Sequence, residues 1–328
     1  MTLLLFAACS KEEGDANVKD DERVPLRIVS GIEVERLGIT RAYDTQWEDA
    51  DQIGLYCTTN GTSTTYIDHA STPTTCANLA YTFADGTDYE TYPGSVTTYR
   101  AFTGTTVYLP ADGSNIDVYA YYPHSTASSQ ITTNSITDIE IDVSDQTSQK
   151  AIDFMRAEVQ DRNTANNVAA LLFTHQLVKL QFNVKRGADM LEDEISQAFT
   201  NSRLSLTVGR QPTVATYNLY TGDISSITPL GTPTPTSSPI TTHIMTTAET
   251  GYDKSFEAIV LPNEATYNPA ADRTVTITIG TANHPTAYTY TFTIGSGTTF
   301  LSGNKYIYNV TVNATSIQVD PTKYTEQW

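Results

Sequence analysis

The sequence predicts an all-β fold, and three observations carry that prediction. Thr outnumbers Asp and Glu together and Tyr reaches 20; both residue types suit the half-buried pleated surface of a sheet better than a helix. Short apolar/polar alternations of period two recur along the chain, as in strands with one buried face. Turn signals rich in Gly, Pro and Asn separate them at intervals of about 8–12 residues, the spacing of β-sandwiches. For 328 residues the length prior is about two domains, each able to bury its own core.

The elements follow in chain order. An apolar run ends in Phe6-Ala7-Ala8-Cys9, and Ser10-Lys11-Glu12-Glu13 comes directly after it. This is the layout of a bacterial lipoprotein signal over residues 1–8: small residues admit the peptidase, and the thiol of Cys9 takes the diacylglycerol. The missing basic region and the short apolar stretch are those of a signal whose start lies further upstream. Residues 9–25 then read as a polar, charged tether without periodicity.

Structure is expected to begin with a strand over 26–34, where Leu26, Ile28, Ile32 and Val34 alternate imperfectly with their neighbours. Residues 37–42 are small and polar, hence exposed. Residues 52–57 restart strand character, and the Thr/Ser/Asn/Gly-rich stretch 58–75 is a long loop. Strands are expected at 79–83, 105–109 and 116–122, the last with Ile116, Val118 and Ala120 on one face and Asp117, Tyr119 and Tyr121 on the other. Pro110-Ala111-Asp112-Gly113 between them signals a turn. Ile139, Ile141 and Val143 repeat the alternation. Residues 152–167, with their Asp, Arg and Asn, break it, which places the boundary between an N-terminal domain, 26–168, and a C-terminal domain, 169–328.

In the second half, 171–184 reads as one strand with a bulge and 191–199 as a short helix. Strands are expected at 204–208 and 215–220. The four prolines of 228–239 make a loop of polyproline character. The clearest alternations are Val275/Ile277/Ile279, Tyr288/Tyr290/Phe292/Ile294 and Tyr306/Tyr308/Val310/Val312.

Charge restricts function. With 37 acidic against 19 basic residues and a formal net charge of -18, the chain repels a nucleic-acid duplex or an anionic lipid surface. No catalytic or metal-binding constellation stands out. The five His residues are scattered, with no HExxH, no Cys-x-x-Cys, no Walker loop and no G-x-S-x-G elbow. His175, on an expected strand, reads as a core histidine bonded to its surroundings. With Cys9 lipidated, Cys57 and Cys76 remain as an even pair in an oxidising compartment, able to bridge if the fold brings them together.

Five segments together carry a family resemblance. They are the lipobox at Cys9; Ile39-Thr40-Arg41-Ala42 followed by Trp47 and Asp51-Gln52-Ile53-Gly54-Leu55-Tyr56; Asp153-Phe154-Met155-Arg156-Ala157; Phe173-Thr174-His175-Gln176-Leu177-Val178-Lys179-Leu180; and the ending from Phe300-Leu301-Ser302-Gly303-Asn304-Lys305-Tyr306 to Trp328. In this order and spacing the chain resembles the fimbrillin (type V pilin) family of Bacteroidales, in particular its Mfa-like lipoproteins.

The resemblance implies two transthyretin-like Greek-key β-sandwiches without catalysis or cofactor, in a structural or accessory subunit of a surface fimbria that supports adhesion. It also implies an outer-membrane location through the lipid on Cys9. A trypsin-like, Arg-specific protease would cut at Arg41-Ala42, with Arg36 and Arg27 as rival sites, and release the strand bearing Leu26, Ile28, Ile32 and Val34. A strand from another subunit would then fill the vacated groove. A host glycan or protein ligand is left open as a further partner. The competing reading is a lipid-anchored glycan-binding protein of a polysaccharide-uptake system, with Tyr89, Tyr92 and Tyr99 as exposed sugar platforms.

Overall fold

A computed structural model describes residues 23–33, 46–83, 89–91, 98–126, 129–190, 197–199, 203–227, 239–263, 272–280 and 288–327. The first half runs through β1 (Arg27–Ile32), β2 (Gln52–Thr59), β3 (Leu79–Phe83), β4 (Tyr89–Thr91), β5 (Thr98–Gly104) and β6 (Ile116–Tyr122). It continues with β7 (Ile131–Ser135), β8 (Asp138–Asp142), the one-turn helix α1 (Gln149–Ile152), β9 (Met155–Arg162) and β10 (Val168–His175). The second half holds β11 (Val178–Arg186), β12 (Leu204–Gly209), β13 (Val214–Asn218), β14 (Asp223–Ile227), β15 (Ile240–Thr241) and β16 (His243–Ile244). After these come β17 (Lys254–Val260), β18 (Arg273–Ile279), β19 (Tyr288–Ile294), β20 (Asn304–Val312) and β21 (Ile317–Gln327).

The first sheet has the order β1-β10-β9-β6-β2-β3-β5-β4, and β1 pairs with β5 as well as with β10. The sheet therefore closes on itself, and its interior is one apolar core including Ile53, Leu55, Val118, Ala120, Leu171 and Phe173. The second half is a sandwich. Its sheets, β16-β17-β11-β20-β21 and β15-β12-β18-β19, share a core of alternating residues such as Leu180, Phe182, Val275, Ile277, Tyr308 and Val310.

A further sheet joins the halves. Its order is β14-β13-β8-β7, two strands from each half, with Val214 to Tyr217 of β13 antiparallel to Asp142 to Ile139 of β8. It covers the outer face of β6, which is why every residue of that strand is buried: Val118 and Ala120 face the closed sheet's interior, while Tyr119 and Tyr121 enter a separate core with Ile139, Ile141, Tyr217 and Ile259.

Several expectations change. Residues 171–184 are two strands: β10 stays in the first sheet through His175, so the first sheet extends past residue 168, and β11 starts the second. The break is stable because its backbone groups find partners elsewhere, Gln176 N–H donating to Phe154 C=O (2.9 Å) and Gly303 N–H to Leu177 C=O (2.8 Å). Gly303 has φ 71°, a backbone conformation that strains a residue with a side chain, and a Cβ there would stand only 3.0 Å from the His175 carbonyl oxygen. His175 Nδ1 lies 2.7 Å from Asp153 Oδ1, both buried.

The strand expected at 105–109 is β5, at 98–104. Residues 105–109 form an extended crossing with a single bridge from Tyr108 to Pro25. Residues 155–162 are not a break but β9, paired with β6 and β10. Their inward Met155 and Ala157 alternate with Arg156, Glu158 and Gln160, and those polar side chains hid the period. The C-terminal run folds back at 313–316, Asn313 N–H donating to Ser316 C=O (2.8 Å), to give β20 and β21. Of the expected helix, 197–199 is helical and 191–196 lies outside the described residues.

Candidate functional site

The strand β1 is the single stave between β10 and β5. It runs parallel to β10 over six rungs, Arg27↔Val168 to Ile32↔Phe173, and antiparallel to β5 over three, Ile28↔Phe102 to Ser30↔Arg100. Backbone bonds extend the seat at both ends: Leu26 N–H to Val107 C=O (2.8 Å), Arg27 N–H to Asn167 C=O (2.9 Å) and Glu33 N–H to Phe173 C=O (2.8 Å). Take β1 away and both flanking strands are left with unpaired N–H and C=O groups, a template for another strand.

Side chains fill the interior on alternate positions. Leu26, Ile28 and Ile32 belong to the first core, and Val29, on the opposite face, is also buried. Each such aliphatic group favours the seated strand by roughly 1.5–3 kcal/mol. Ordering the backbone costs about 1–2 kcal/mol per residue. These are of the same size for a strand this short, so the hydrogen-bond ladder and the fit of individual side chains decide how firmly it sits. Trp47 closes the end of the channel edge-on, with ring centroids 5.1 Å from Phe102 on β5, 5.2 Å from Phe173 on β10 and 5.4 Å from Tyr122. It lies on the body side of the expected cut and spans both walls of the groove. Its indole was legible in sequence only through the family resemblance.

The other expected site residues divide in two. Cys9, Arg36, Arg41, Ala42 and Val34 lie outside the described residues. Arg27 is exposed but ladder-bonded inside β1, a poor substrate for a protease that needs a free extended segment. Cys57 and Cys76 are brought together. Both are free thiols with no exposure, Cys57 N–H donates to Cys76 C=O at 3.0 Å, and the hydrogen bond between the thiols, with burial, pushes the Cys57 thiol well up. The stretch between them is a pinned excursion rather than a free loop: Tyr66 N–H bonds Cys57 C=O (2.8 Å), Cys76 N–H bonds Tyr66 C=O (3.0 Å), and buried Asp68 accepts from Thr74 N–H (2.7 Å).

The sugar-platform expectation fails at Tyr99, which is only 6% exposed; Tyr92 lies outside the described residues. A recess of about 360 Å³ opens beside Tyr56, Asn78 and Thr133. It offers neutral hydrogen-bonding groups, the Tyr56 and Thr133 hydroxyls already bonding each other at 2.5 Å. Among the described residues no His/Cys/Asp/Glu group is arranged for a metal ion.

Comparison with known proteins brings the chain into a family context. It matches the family described as Fimbrillin-like over residues 40–328, a match that begins after β1. It is 32% identical over 322 residues to Fim1C, a candidate fimbrium subunit of Bacteroides uniformis, covering 97% of this chain and 90% of that protein. Among solved structures it is similar to a candidate cell adhesion protein of Bacteroides uniformis, with a TM-score of 0.63, 27% identity, and coverage of 95% of this chain and 100% of that one. A candidate cell adhesion protein of Bacteroides ovatus gives a TM-score of 0.61 at 19% identity, covering 93% and 98% of the two chains, a likeness of fold.

Proposed function

The chain belongs to the fimbrillin-like family, and we propose that it is a structural subunit of a surface fimbria, without catalytic activity, that assembles with other fimbrial subunits by exchanging its first strand. The observation that carries this reading is the seat of β1: one strand closes the first sheet between β10 and β5, and its loss creates a groove with two unpaired strand edges and an apolar floor. In this reading lipid on Cys9 holds the precursor at the outer membrane, an Arg-specific protease cuts at Arg41-Ala42, and a strand from another subunit takes the place of Leu26, Ile28, Ile32 and Val34. Cys57 and Cys76 join in a disulfide after export. Adhesion to a host glycan or protein belongs to the assembled fimbria.

The test is proteolysis of the purified full chain with a trypsin-like, Arg-specific enzyme. Wild type should lose β1 and form ladders resistant to mild denaturant, or take up a peptide copying residues 26–34. Arg41→Ala should stay monomeric and indifferent to the peptide. Identical behaviour of the two proteins would refute the mechanism.

A further inference from the structure

The weak point of β1 is Ser30. Its side chain has no exposure and its hydroxyl has no hydrogen-bond partner among the described residues. Alternation puts it on the same face as Ile28 and Ile32, inside the closed sheet, level with Leu171 on β10 and Arg100 on β5. Every other inward position of the seated segment is a branched aliphatic: Leu26, Ile28 and Ile32. A hydroxyl buried without a partner has lost its bonds to water and gained none, a penalty that an apolar group of the same shape avoids.

We infer that Ser30 marks β1 as a deliberately imperfect occupant, and that the strand which replaces it carries a small apolar residue, Ala or Val, opposite Leu171. This rests on the strand-exchange reading and adds the chemistry of the incoming partner. Resident and incoming strands satisfy the same edge N–H and C=O groups of β10 and β5, so backbone bonding hardly separates them. Discrimination falls to the side chains, and three of the four inward positions are already filled with residues of good size. The Ser30 position is where a competitor can gain.

Two measurements test it. In the intact full chain, Ser30→Ala should raise the melting temperature, and Ser30→Val should melt higher than Ser30→Thr, a pair of equal shape that differs in the hydroxyl. In protease-trimmed chain, a labelled peptide copying residues 26–33 with Ala at the Ser30 position should bind about tenfold or more tightly than the native peptide, since a penalty of the usual size for an unpaired hydroxyl corresponds to that factor. The Val peptide should outbind the Thr peptide likewise. Equal affinities for the native and Ala peptides, or a Ser30→Ala chain that melts lower than wild type, would overturn the inference while leaving strand exchange intact. If no peptide is taken up at all, the strand-exchange reading fails, and the proposal for the incoming strand fails with it.

Discussion

Replacing Ile28 with Ala tests the seat of the first strand from its centre. Ile28 is 3% exposed and stands level with Ala169 on β10 and Phe102 on β5. The void left by its missing carbons cannot be filled from Ala169, which is small. Phe102 is held by its own contacts, 5.1 Å to Trp47 and 5.7 Å to Phe83 between ring centroids. With little relaxation available, the loss belongs in the upper half of the range for large-to-small core changes, about 3–5 kcal/mol. At about 2–4 °C per kcal/mol for a cooperative unit of this size, that is a fall in melting temperature of roughly 6–20 °C. Calorimetry of the uncut chain measures it. The diagnostic comparison uses chains cut at Arg41 and washed free of the released strand: wild type and Ile28→Ala should then melt alike, because the altered side chain has left with β1. A difference that persists in the washed, cut proteins would refute the argument, as would uncut chains that melt together.

Cys57 and Cys76, buried side by side, should be found joined in protein purified after export, intact mass showing the loss of both thiol hydrogens. Cys76→Ser should cost roughly 3 kcal/mol relative to the oxidised chain, measured by denaturant unfolding; full alkylation without reductant would contradict this. Alkaline stability should be limited by tyrosines. Burial raises the phenol of Tyr119 to about 12 and also raises those of Tyr56, Tyr66, Tyr81, Tyr121, Tyr122 and Tyr217. A folded value above the unfolded one means the native state keeps protons that the unfolded chain has released, so stability is complete below the ordinary value near 10 and falls as pH rises beyond it. Phenolate absorbance and loss of circular dichroism should therefore rise together in one cooperative step above about pH 10; early ionisation of these tyrosines in a folded chain would disprove it.

Much of the architecture was readable before any coordinates. Thr and Tyr usage gave the all-β class, strands were located to the residue at β3 and β6, and period-two alternation located β18, β19 and β20 closely, because side-chain alternation across a strand is a local pattern. The charges of β9 defeated the same rule, as did the near-continuous apolar run of β10, which leads into the alternation of β11 without a turn signal. In β9 the outward residues dominate the composition, and across residues 175–178 nothing in the side-chain pattern reports that the chain leaves one sheet for another.

The candidate site divides along the same line. Leu26, Ile28 and Ile32 declared a strand by themselves, and an even cysteine pair declared the option of a bridge. That β1 is parallel to β10 and antiparallel to β5, that it alone closes the first sheet, that Trp47 spans both walls of its groove, and that Cys57 meets Cys76 were decided by tertiary structure. The physical reason is that side-chain alternation specifies which face of a strand is buried, while the identity of its neighbours depends on pairings between residues far apart in the chain. Ser30 shows the limit most clearly: in the sequence it is an ordinary polar residue in an imperfect alternation, and only its burial between β10 and β5, level with Leu171 and Arg100, makes its hydroxyl a cost.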